Sequence, residues 1–108
     1  MSKMKSHPIH AEATVEWRDS NEIGKVMPPP NSTHFAATAR FPEDDKLALF
    51  SVVLYYSPLQ SPKEKLNHKV KLHFLAPDFV LPKVSMGSKL YITDGVKIIA
   101  EARIDKIE

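Results

Sequence analysis

Apolar and polar residues take turns along most of this chain. Ile9, Ala11, Ala13, Val15 and Trp17 fall on one parity, and His10, Glu12, Thr14, Glu16 and Arg18 on the other. A period of two with one polar side describes an extended strand with one face buried. The pattern returns over 34–41, where Phe35, Ala37, Ala39 and Phe41 alternate with His34, Ala36, Thr38 and Arg40. Residues 47–56, LALFSVVLYY, are apolar on both parities and rich in β-branched and aromatic side chains, which suits a third strand. A fourth is predicted over 67–74, with Val70, Leu72 and Phe74 set against Lys69, Lys71 and His73.

The strongest local signal lies near the end of the sequence. Leu90 and Ile92 precede Asp94-Gly95, and Val96, Ile98, Ala100, Ala102 and Ile104 follow on one parity. Asp-Gly between alternating apolar runs predicts a tight hairpin, because a type I′ turn needs positive φ at both central residues. Turn residues separate the other strands: Pro42-Glu43-Asp44-Asp45, the Pro58 and Pro62 segment, and a looser stretch over 76–88 with Pro77, Pro82 and Gly87. No segment repeats every 3.6 residues in the way an amphipathic helix requires.

Six strands and no long helix predict an all-β barrel or sandwich. Alanine pairs on three inward faces, Ala11/Ala13, Ala37/Ala39 and Ala100/Ala102, favour a closed six-stranded antiparallel barrel. A small barrel's interior cannot take a large side chain from every strand. Residues 9–108 are expected to form one such domain, and the basic segment over 1–8 a flexible tail.

Composition narrows the chemistry. The 108 residues include 15 Lys and Arg, 13 Asp and Glu, and no cysteine. Disulfides, thiolate metal sites and thiol nucleophiles are excluded, and a reducing, cytoplasmic setting is expected. No apolar run approaches the ~18 residues of a membrane-spanning helix, so no membrane partner is expected.

The order of these pieces resembles a known family. The run GSKLYITDGVKIIAEARIDKI is similar to the closing hairpin of the third domain of elongation factor Tu. LHFLAPDFVLPKVSMG resembles the strand and proline stretch before it, and VEWRDSNEIGKVMPP the first strand and its loop. The resemblance covers 9–107 and implies a six-stranded barrel standing without a GTPase domain. Where the family has Gly-Gly-Arg this chain has Ile23-Gly24-Lys25, and Asn31 to His34 lack the family's tyrosine and arginine. The resemblance therefore implies the fold more than the contacts to transfer RNA. No P-loop is present, so nucleotide hydrolysis is not inherited.

Candidate sites are few. His7, His10, His34, His68 and His73 are scattered, and His68 and His73 point to opposite faces of one strand. Neither a metal nor another cofactor is expected. No serine stands in a nucleophile motif, so no enzyme activity is expected. Lys69, Lys71 and His73 form a basic row that could follow a phosphate backbone, with Tyr55, Tyr56 or Tyr91 able to stack bases. The plainer alternative is an edge strand guarded by lysine. The loop over 19–33, with its triple proline Pro28-Pro29-Pro30, holds Ile23, Lys25, Val26 and Met27, which either dock another protein or plug a barrel mouth. A non-catalytic protein-binding module is thus the expectation, with an RNA-binding accessory protein as the alternative.

Overall fold

A computed structural model describes residues 8–18, 28, 32–43, 48–95 and 97–108. Six antiparallel strands close into a barrel: β1 (Ala11–Trp17), β2 (His34–Arg40), β3 (Phe50–Tyr55), β4 (His68–Phe74), β5 (Lys89–Asp94) and β6 (Lys97–Ile107). Their order around the wall is β1-β4-β3-β2-β5-β6. β2, β3 and β4 follow one another as a meander, and β1 returns beside β4, which is a Greek-key arrangement.

The alternation predicted from the sequence selects the interior. Ala11, Ala13, Val15 and Trp17 from β1, Val70, Leu72 and Phe74 from β4, and Leu90 and Ile92 from β5 are buried together. Alanines from β1, β2 and β6 (Ala11, Ala13, Ala39, Ala100, Ala102) share that interior with Phe74, Leu54 and Leu72. Small residues beside large ones suit the narrow interior of a small barrel. Ala37, expected with them, is only half-buried and packs at the core's margin.

β6 departs from simple alternation twice. Ala11 and Glu12 pair with Ile107 and Lys106, but Ala13 pairs with Ile104, which leaves Asp105 as an extra residue. Against β5, Ile92 pairs with Ala100 and Thr93 with Ile98, leaving Ile99 extra. Such bulges re-aim the side chains beside them. Here the second bulge buries Ile99 and leaves Ile98 half-exposed, which corrects the expectation that Ile98 faces the core. Gly95 closes the β5–β6 hairpin at φ 67°, the left-handed conformation that the Asp-Gly signal implied.

The two barrel ends are filled differently. At the end where β1 begins and β2 and β4 finish, Phe41, Phe50 and Phe74 meet ring to ring, with centroids 5.3 and 6.0 Å apart. The segment expected to be loose turns helical there, as α1 (Pro77–Val80) runs into a 3-10 turn at Leu81–Lys83. Val80 and Val84 from this connection join the core. At the other end, where β1 and β3 finish and β4 begins, Trp17, Tyr56 and His68 gather, and a five-residue 3-10 turn, Pro62–Leu66, leads into β4. No helix among the described residues is long and apolar enough to cross a membrane.

Candidate functional site

The basic row lies on the outer face of β4. Lys69 and Lys71 are exposed and His73 half-exposed, as the alternation requires. β4 is flanked by β1 on one side and β3 on the other. It is therefore not an edge strand, and guarding a free edge is not what its lysines do.

Their neighbours are acidic as well as aromatic. Lys71 stands opposite Glu12 on β1 and Tyr55 on β3. The Lys69 ammonium donates to the Thr14 hydroxyl at 2.7 Å and lies 3.8 Å from an Asp105 carboxylate oxygen. The Thr14 hydroxyl in turn donates to that oxygen at 2.6 Å. The bulge at Asp105 swings its carboxylate over β1 and so places this acid beside the lysines. Further along, Glu101 pairs with Arg18 and Lys89. This side of the barrel is a lattice of alternating charge, and a groove of 370 Å³ runs through it between Tyr55, Lys71, Glu12 and Asp105. A phosphate entering the groove would meet carboxylates as well as ammonium groups.

The outer face of β2 and β3 carries less charge: Arg40, at the finish of β2, lies over the Tyr91 ring 4.9 Å from its centroid. A second groove, of 330 Å³, runs across the outer face of β2 and β3 between Ala36, Thr38, Ser51, Val53, Leu75 and Thr93. Asp94, at the hairpin end, is the charged residue of its lining. Thr38 and Thr93 satisfy one another through their hydroxyls, so the floor offers few unmet polar groups. Within the lining Leu75 is 57% exposed. Leu75 is held in place by its N–H, which donates to the Ser51 carbonyl at 3.2 Å. The sequence shows Ala36 and Thr38 on one parity with His34 and Arg40, but 47–56 are apolar on both parities, so it does not mark Ser51 and Val53 as outward. It does not show that β5 and the segment after β4 bring Thr93 and Leu75 alongside them.

The histidines form no convergent set, and no three metal-ligating side chains gather among the described residues. His10 and His73 stack at 5.0 Å on the outside of the barrel. The Phe74 N–H donates to His10 Nδ1 at 3.0 Å, and His73 Nδ1 donates to the Pro8 carbonyl at 2.8 Å. Burial, and then the nearby His73, hold His10 below the ordinary histidine range. His68 is buried and hydrogen-bonded to Trp17 and to the Ser57 carbonyl. Burial pushes the Tyr56 hydroxyl above its usual range, against the opposing pull of its bond to Ser32.

Ile23, Lys25, Val26 and Met27, the residues expected to contact a protein, lie outside the described residues, as do residues 1–7 of the expected tail. Pro28, in the same loop, is buried. Compared with known proteins, the chain matches no family model, no curated protein and no solved structure.

Proposed function

We propose that this protein is a non-catalytic binding module whose partner is another protein, held in the mostly apolar groove on the outer face of β2 and β3. The contrast between the two walls carries the reading. One wall neutralises its own charges across strands, and the other presents a mostly apolar groove whose lining includes the exposed Leu75. Exposed apolar groups in a shallow groove favour side-chain packing by a protein partner. His68 bonds to Trp17 and to the Ser57 carbonyl, and His10 accepts the Phe74 N–H, which supports structural roles for these two rings. The Greek-key order and the Gly95 hairpin support the finer likeness to the third domain of elongation factor Tu. The lack of cysteine supports a cytoplasmic setting.

RNA binding is the second reading, and one observation favours it. Tyr55 and Lys71 are direct cross-strand neighbours in the charged groove, where a base could stack beside a phosphate contact. The interleaved carboxylates make it the weaker of the two.

Pull-down from the source cells with three forms of the protein separates them. Ala36→Glu with Leu75→Glu is expected to lose at least nine-tenths of the protein that wild type retains, while Lys69→Glu with Lys71→Glu keeps it. Retention of RNA that falls steeply with salt and disappears in the lysine variant would replace the protein reading with the RNA one.

A further inference from the structure

β4 is tied to β1 at each end by an imidazole that acts as a hydrogen-bond acceptor. At the start of β4, His68 Nδ1 accepts the Trp17 indole N–H at 3.1 Å, and His68 Nε2 lies 2.8 Å from the Ser57 carbonyl oxygen. An indole N–H can only donate and a carbonyl oxygen can only accept. His68 is therefore neutral, with its proton on Nε2. At the finish of β4, the Phe74 N–H donates to His10 Nδ1 at 3.0 Å, so that nitrogen also carries a lone pair. An imidazolium has two N–H donors and no acceptor. Protonating either ring sets one N–H against another.

The surroundings of each ring bear on how readily this happens. His68 faces Trp17 from β1 and the Tyr56 ring at 5.0 Å from the end of β3. The turn leading into it carries Lys63, Glu64 and Lys65. His10 faces His73 and Phe74 from β4, and on the β6 side the Glu108 N–H donates to the His10 carbonyl at 3.0 Å.

We propose that these two side-chain ties are broken by acid: an imidazolium at His10 cannot accept the Phe74 N–H and one at His68 cannot accept the Trp17 indole N–H, while the backbone ladder from Ala11–Leu72 to Val15–His68 persists. The inference does not rest on the choice of binding partner, since it concerns bonds between β4 and the β1 side of the barrel.

The test is a pH titration of the whole protein from 8 to 5, followed by proton–nitrogen correlation spectra. Trp17 is the chain's one tryptophan, so its indole peak is unambiguous. The indole peak and the Phe74 amide peak are expected to move upfield in the proton dimension as their bonds to imidazole are lost. In His68→Gln the indole peak should stop responding while the Phe74 peak still moves, and His10→Gln should do the reverse. Peaks that stay put in wild type, or that still titrate without their imidazole, overturn the proposal. Should a variant fail to fold, the ring nitrogens of wild type decide. Loss of the Nδ1 lone pair together with the partner's shift supports the proposal, and a shift without that loss overturns it.

Discussion

The two ends of this barrel are closed by opposite kinds of chemistry. One end is stoppered by Phe41, Phe50 and Phe74 with Val80 and Val84, and nothing in that cluster needs a hydrogen bond. The other is stoppered by Trp17, Tyr56 and His68, where every ring has a polar atom that must be satisfied. Apolar plugs are held by area and shape, so they fail when volume is removed. Polar aromatic plugs are held by area and by donor–acceptor matching, so they also fail when a proton is added or a donor deleted.

Three measurements sharpen this contrast, taken from the largest effect down. Phe74→Ala strikes the apolar end, where the ring is fully buried. It should cost about 3–5 kcal/mol in denaturant unfolding, the usual range for deleting a buried phenyl ring. A cost below ~1 kcal/mol would mean that the end is loosely packed. Trp17→Phe strikes the polar end while keeping most of the volume. It leaves His68 Nδ1 buried without its donor, and about 1–3 kcal/mol should be lost for that reason. Equal stability of Trp17→Phe and wild type would show that the hydrogen bond contributes little.

The smallest effect is the response to acid through His10. The unfolded chain takes up a proton at this histidine near pH 6.5, and the folded chain only at lower pH. Between those values the unfolded state binds more protons, so stability rises with pH across the window. Stability from this group should be fully present above about pH 7.5 and decline as the pH falls through 6.5 toward the lowered value, with no further loss beneath it. Unfolding midpoints from pH 8 to 5 check this, and His10→Gln should flatten that part of the profile. A profile as steep in the variant would assign the response to other groups.

Much of the fold is legible in the chain because strand alternation and turn chemistry are local. Ala11 to Trp17, Val70 to Phe74 and the Asp94-Gly95 hairpin each declare themselves within a few residues. The site is less legible. Lys69 and Lys71 stand out as a basic row, but the acids that temper them come from elsewhere in the chain: Glu12 on β1 and Asp105 on β6. Asp105 reaches Lys69 only because of a bulge, and the bulge follows from fitting β6 against β1.

The sequence by itself determined which side chains point inward along β1, β4 and β5, where the last hairpin turns, and that alanines would line a narrow interior. A side chain's direction depends on its own backbone and its nearest neighbours, and those lie in the same few residues. Only the tertiary structure decided that β4 is flanked on both sides, that Ile99 rather than Ile98 is buried, and that Trp17 finds its acceptor 51 residues away in His68. Those outcomes depend on which strands meet and in what register. Pairing between distant segments is settled by burying the whole interior at once.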